Sequence, residues 1–316
     1  MIANNFSRLP YEACLIPNFP EEIQHRVRDI GNYVVRPLYM LLAVIAFVCN
    51  ALICITVART KFLQRPSVLM VCSLSVTDLI YALFSLHMGA KTVLRESMCL
   101  GTVNPEERAM NILCSLATLG MLAVISRDRY LAVTKPLWYR NHMTKPRSIK
   151  MFCIPWLISV VLTFAHIVYL VFEFDGGYKT LVRVITFAYY CICFVIIIFS
   201  HLGIYFKKPP AVGIRDMQAV IKREKKSAAT IRLMLLVLLL TFLPALLWPI
   251  VLGLNGIENN GPYRPFMYFL FIVDTVANPL LNFGRNRDMR RAIRGLLSCF
   301  QRVGQQQQRQ QQQQQQ

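Results

Sequence analysis

The sequence predicts an all-α membrane protein: a seven-transmembrane helix bundle followed by a C-terminal amphipathic helix lying in the interface. Three observations lead there. Of 316 residues, 55% are hydrophobic and 16% charged, with a mean hydropathy of +0.43, which is too apolar for a soluble chain of this length. Seven apolar runs, near 37–58, 67–89, 109–127, 150–172, 183–206, 230–254 and 264–284, are each long enough to cross a hydrocarbon core of about 30 Å. The basic residues sort to one side of these runs. The segments after the first, third and fifth runs, with the C-terminal tail, hold 25 of the 35 lysines and arginines. By the positive-inside rule that side is cytoplasmic and the N-terminus extracellular, as expected of a multi-pass protein of the plasma membrane.

This sorting accounts for a net charge of +19. Nucleic-acid binders carry their basic residues on soluble faces patterned with aromatics, whereas here they lie between apolar runs, so no nucleic acid partner is expected. The partners they do meet are anionic membrane lipids.

Residues 1–36 read as an extracellular N-terminal tail, with no apolar stretch and cleavage site ahead of the first span. Asn5-Phe6-Ser7 in this tail is a glycosylation acceptor on the matching side of the membrane. Residues 37–284 form the bundle. In 285–299, Met289, Ile293, Leu296 and Leu297 share one helical face opposite five arginines, the pattern of an interfacial helix. Cys299 ends it where an acyl chain could anchor it, a palmitoylation site. Residues 300–316 are glutamine-rich and have too little apolar surface to bury, so a disordered cytoplasmic tail is expected.

Of ten cysteines, Cys49, Cys54, Cys72, Cys114, Cys153, Cys191 and Cys193 fall inside the apolar runs, where a thiol packs as a small hydrophobe. Only Cys14 and Cys99 face the oxidising side, and a disulfide between them is expected. Closing that loop of about 86 residues contributes up to about 4.6 kcal/mol in the chain-entropy model.

Soluble catalytic signatures are missing: no glycine-rich phosphate loop, no HExxH and no paired Cys-x-x-Cys. The five histidines, His25, His87, His142, His166 and His201, are scattered and read as packing or interfacial residues. Neither enzymatic activity nor a cofactor is expected.

Ionisable and amide groups inside a span are costly and mark function. The first span carries Asn50 in Cys49-Asn-Ala-Leu, and the second Asp78 in Leu74-Ser-Val-Thr-Asp-Leu79. The third ends in Asp128-Arg129-Tyr130, followed by Leu-Ala-Val-Thr-Lys-Pro136-Leu-Trp-Tyr. Trp156 stands in the fourth span, Phe242-Leu-Pro244 in the sixth and Asn278-Pro279 in the seventh. In this order, over about residues 35–299, these motifs resemble the rhodopsin-like (class A) G-protein-coupled receptor family.

The resemblance implies a signalling receptor whose partners are an extracellular ligand (a peptide, a lipid or another small molecule) and a heterotrimeric G protein. It places the activation switch at Asp128, Arg129, Tyr130, Tyr205, Asn278 and Pro279, with Glu224 as the acid that pairs with Arg129 and holds the sixth helix closed. Pro244 is the kink about which that helix swings. The resemblance also implies a sodium site from Asp78, Thr118, Asp274 and Asn278. An aspartate at 274, where an amide is commoner, puts two carboxylates in one low-dielectric site, so that either a cation sits between them or they share a proton.

Departures from the family pattern fall on the coupling positions. Ile197 replaces the proline of the fifth span, Phe242 a tryptophan, and Asn282 the tyrosine after Asn278-Pro279. The short stretch from Phe172 to Leu181 has no cysteine, so the family's outer disulfide cannot form, and Asn104 stands where its other cysteine is expected. A short outer loop and a fifth span without proline are shared with melanocortin-type and some lipid receptors.

The implied ligand pocket comprises Asn111, Ser115, Tyr189, Phe242, Leu246 and Tyr268. Asn111 stands where aminergic receptors carry the aspartate that pairs with an ammonium, so a biogenic amine is not expected. Ile272 stands where opsins carry the Schiff-base lysine, which leaves Glu107, placed like an opsin counterion, nothing to counter, so retinal is not expected either. The competing reading is a seven-helix transporter or channel using Asp78 and Asp274 for ions or protons; such folds usually show internal repeats, and none is found between the halves of this sequence.

Overall fold

The computed structural model describes residues 21–94, 105–172, 176–207, 264–285, 287–296 and 298, with 312–313 and, from the sixth apolar run, 233, 236, 237, 239–241 and 244. Its helices are α1 (Glu21–Ile30), α2 (Arg36–Arg59), α3 (Pro66–Leu94), α4 (Pro105–Thr134), α5 (Pro136–His142), α6 (Lys145–Val171), α7 (Gly176–Phe206) and α8 (Arg264–Arg285). Among the described residues α2, α3, α4, α6, α7 and α8 contain six spans long and apolar enough to cross a membrane, matching six of the seven runs. The described positions of the remaining run, Pro244 included, are helical.

Proline, which lacks an N–H that a first turn would leave unpaired anyway, stands in the first turn of six of these helices, as Pro37, Pro66, Pro105, Pro136, Pro146 and Pro265. The tail read as 1–36 contains helix from Glu21 onward. A π turn over Gly31–Val35 joins α1 to α2 with helical dihedrals at both ends, so the chain runs helically from 21 to 59.

In lipid, helices gain little by hiding apolar surface from one another, so close packing and hydrogen bonds decide their arrangement. α4 is the most buried span and packs against α3, α6 and α7, while α2 packs against α3 and α8. The main core interdigitates Met70 and Leu74 of α3, Leu116, Leu119 and Leu122 of α4, Leu162 of α6 and Ile197 of α7. The opposite faces are apolar and open, as at Leu157, Phe164 and Phe199, which is the surface a lipid-embedded bundle presents. Gly120 allows α4, α6 and α7 to meet: a Cβ there would overlap the Tyr189 hydroxyl and lie 2.8 Å from Pro155 Cβ.

After α8 the chain is again helical over 287–296. Met289 is buried against Ile53, Val57 and Leu63 with Ile293 packed beside it, so this short helix is pinned under α2 by the face expected to be apolar. Asn5, Cys14, Cys99, Glu224, Phe242, Leu246 and Cys299 lie outside the described residues.

Candidate functional site

Two polar centres are threaded through this apolar bundle. One is built at the C-terminal end of α4. Asp128 and Arg129 are both buried, at 0% and 5% exposure. Arg129 donates through Nε to Asp128 Oδ2 at 3.0 Å and through a terminal nitrogen to the same oxygen. Tyr139, brought back by α5, donates to Asp128 Oδ1 at 2.8 Å and accepts from Arg129 at 3.2 Å. The Asp128 carboxylate and the Tyr139 phenol thus both hold the guanidinium, and Tyr139 is a member of this centre that the motif reading missed. Its signal was the Pro136-Leu-Trp-Tyr segment, which folds as α5 and returns the phenol to the arginine.

Tyr130 points the other way, packing with Val133 and Ile204 and lying against Gly203 of α7. Tyr205 is 69% exposed, its ring in edge contact with Phe206 at 5.3 Å, so it stands on the outside of the bundle.

The second centre lies deeper, between α3, α4 and α8, around a cavity of about 30 Å³. α3 contributes Asp78 and Tyr81, α4 contributes Asn111, Cys114, Ser115 and Thr118, and α8 contributes Phe271, Asp274 and Thr275. Three residues expected at an ion site, Asp78, Thr118 and Asp274, therefore share one space with two expected in the ligand pocket, Asn111 and Ser115. Among the described residues no cluster of three or more metal-ligating His, Cys, Asp or Glu side chains occurs; the cavity offers two carboxylates.

Helix register fixes the depth of each lining group. α4 and α8 run antiparallel to α3, so Tyr81, Asn111 and Phe271 form one layer, nearer the N-terminal ends of α4 and α8, and Asp78, Thr118 and Asp274 a second, nearer their C-terminal ends. Asn278 Nδ2 donates to Asp78 Oδ2 at 3.0 Å, joining α8 to α3 below the cavity. Asp274, 6% exposed, keeps a buried Oδ1 without a hydrogen-bond partner, as do the carbonyl oxygens of Asn111 and Asn278 and the Tyr81 hydroxyl.

Pro279 explains the next contact. Having no N–H, it leaves the carbonyl four residues back, at Thr275, without its helical donor. Asn50 Nδ2 donates to Thr275 O at 3.2 Å as well as to Ala46 O at 3.0 Å, so an amide of α2 braces α8 at its proline. Asn282, in place of the family tyrosine, spends its own amide on Asn278 O at 3.0 Å. Trp156 Nε1 donates to Ser73 Oγ at 3.1 Å, tying α6 to α3.

The tyrosines of α7 divide differently from expectation. The Tyr189 hydroxyl donates to Leu116 O at 3.3 Å, in the α4–α6–α7 packing, and the residue does not line the cavity. Its neighbour Tyr190 is the one that reaches the site. Ser115 Oγ donates to Ile112 O at 3.0 Å, so its single proton is used and the Tyr190 hydroxyl donates to it across 2.9 Å. Tyr268 packs with the cluster of Tyr39, Tyr81 and Ile272 above the cavity. Tyr81, Cys114, Phe271 and Thr275 were not anticipated, although Tyr81 and Phe271 stand one turn outward of Asp78 and Asp274 and could have been read from that spacing.

Known proteins show what this arrangement is similar to. 5-hydroxytryptamine receptor 1E of Cavia porcellus is 22% identical over 334 residues, covering 82% of this chain and 91% of that protein. Dopamine receptor 4 of Caenorhabditis elegans is 31% identical over 122 residues, 38% of this chain and 24% of that one, and the D(1B) dopamine receptor of Xenopus laevis is 32% identical over 135 residues, 42% and 30% respectively. The model of the 7 transmembrane receptor (rhodopsin family) matches residues 49–282, about three quarters of the sequence, and the chain belongs to that family.

Proposed function

We propose that the chain is a plasma-membrane receptor, its N-terminus outside, that converts binding of an extracellular ligand into activation of a heterotrimeric G protein. The buried Asp128–Arg129–Tyr139 cluster is the observation that carries this reading. A guanidinium held by one carboxylate and one phenol at the cytoplasmic mouth can be traded between that clamp and a partner's acceptors, which makes it a two-state element. Tyr130, Tyr205, Glu224, Asn278 and Pro279 would complete the switch, with Pro244 as the hinge of the sixth helix. Guanine-nucleotide exchange on a G protein, in membranes carrying the full chain, tests the reading. Arg129→Ala is expected to lower exchange about tenfold or more at equal surface expression. Exchange unchanged by that substitution would remove the arginine from the mechanism.

For the inner site we propose a cation or a shared proton as the device that biases the switch. Asp78, Thr118, Asp274 and Asn278 suit a hard monovalent cation, and the unpartnered Asp274 oxygen supports that use. A sodium ion bound there would supply positive charge between the carboxylates. Raising sodium is expected to lower basal exchange, and Asp274→Asn to weaken that response. The titratable groups lining the cavity are Asp78, Tyr81, Cys114 and Asp274. If the two carboxylates share a proton instead, exchange changes between about pH 6 and 8 and ignores sodium. Indifference of wild type and Asp274→Asn to both variables would rule out both forms.

On ligand class, Ile272, buried and without an amine, supports the expectation against retinal. The expectation against an amine rested on Asn111 alone. Relatives named as serotonin and dopamine receptors weigh against it, and the charge that Asn111 cannot supply is present one layer deeper.

A further inference from the structure

We infer that the cavity between α3, α4 and α8 takes the ammonium group of a small organic cation, held by the Asp274 carboxylate and the Asn111 carbonyl oxygen beside the rings of Tyr81 and Phe271. This rests on the receptor reading only in calling that cation a ligand. The argument begins with what the cavity lacks. Its lining includes no lysine, arginine or histidine. Asn111 Oδ1 and Asp274 Oδ1 are buried acceptors without a donor, and a buried polar atom left unpaired is costly. An occupant that supplies only donors, and positive charge with them, removes that cost.

The two carboxylates are not equivalent. Asp78 already receives the Asn278 amide at 3.0 Å, whereas Asp274 keeps an open oxygen, so Asp274 is the anion available to an incoming cation. Tyr81 and Phe271 stand edge to face, ring centroids 6.2 Å apart, in the layer just outside it. Aromatic faces with a carboxylate and an amide oxygen stabilise an alkylammonium, whose N–H groups seek the oxygens while its carbons contact the rings. Size decides between a headgroup and a whole ligand. About 30 Å³ holds one or two water-sized groups, so the nitrogen enters and the carbon body extends outward along the next turns, where Met110 and Tyr268 stand.

The test uses the purified full chain in lipid nanodiscs with potassium as the only metal cation, read by thermal unfolding and by equilibrium binding. Methylammonium chloride is compared with potassium chloride at equal ionic strength, and 2-phenylethylamine with the neutral 2-phenylethanol. Both amines are expected to raise the unfolding midpoint while the alcohol and the added salt do not. Asp274→Asn should weaken amine binding by about tenfold or more, since it removes the charge of the pair. Asn111→Leu should weaken it less, and both variants, which keep the side-chain size, should unfold within a few degrees of wild type without amine. Equal shifts from amine and alcohol, no amine shift, or an amine shift intact in Asp274→Asn would each overturn the inference. Binding is read without a G protein. A chain that binds amines and fails in nucleotide exchange therefore loses the receptor reading alone, and one that signals without binding amines loses only the ammonium site.

Discussion

Asp128→Asn is expected to raise ligand-independent nucleotide exchange about five- to tenfold while leaving the receptor folded. The substitution keeps the shape of the side chain and removes its charge. Arg129, 5% exposed, then faces a neutral amide and the Tyr139 phenol. Hydrogen bonds to charged groups contribute about 1.5–3 kcal/mol, roughly twice a neutral one. Losing even 1–1.4 kcal/mol of differential stabilisation shifts a two-state equilibrium by about that five- to tenfold. Losing the Asp128 charge destabilises the buried guanidinium in the clamp, so the state that gains is the one in which Arg129 leaves it. Tyr139→Phe removes only the phenol's bonds of 2.8 and 3.2 Å and should raise basal exchange by a smaller factor in the same direction. Wild-type basal exchange in Asp128→Asn, at matched surface expression, would mean that the ion pair does not restrain the switch.

The parts of this molecule that were legible in its sequence are those set by the solvent. A lipid core demands long apolar helices and sorts basic residues by side, so the spans and the family motifs could be read one residue at a time. Rotation of a helix about its own axis is set by its neighbours instead. Tyr189 and Tyr190 differ by one position and hence by about 100° around α7. Packing at Gly120 draws the first into the α4–α6–α7 seam and leaves the second to reach Ser115. The same limit hid Tyr139, whose role depends on a short helix folding back to Arg129. Asn50 was recognised as a motif residue, but why it matters follows only from pairing it with the carbonyl that Pro279 leaves open. The cavity, finally, joins residues that the motif reading had divided between an ion site and a ligand pocket, because that reading assigns positions to helices without giving their heights in the bundle.

The same leucine-to-alanine change on two sides of the bundle should separate packing from lipid contact. Leu119 of α4 is fully buried, in the core shared by α3, α6 and α7, while Leu157 of α6 is 67% exposed on the outward face. In water a buried leucine truncated to alanine costs about 2–5 kcal/mol, part from transfer and part from the cavity left behind. In a bilayer the transfer part nearly vanishes, since lipid tails are as apolar as the core, and the cavity part remains. Leu119→Ala is therefore expected to cost about 2 kcal/mol, the low end of that range, and to lower the apparent unfolding midpoint in nanodiscs by roughly 5 °C. At Leu157 lipid chains flow into the space of the missing carbons, and the midpoint should stay within about 1 °C of wild type. A large fall at Leu157 would mean that its face is covered by protein rather than lipid. No fall at Leu119 would mean that the tight core around α4 contributes little, and that the polar braces at Asn50, Ser73 and Asn278 carry the bundle instead.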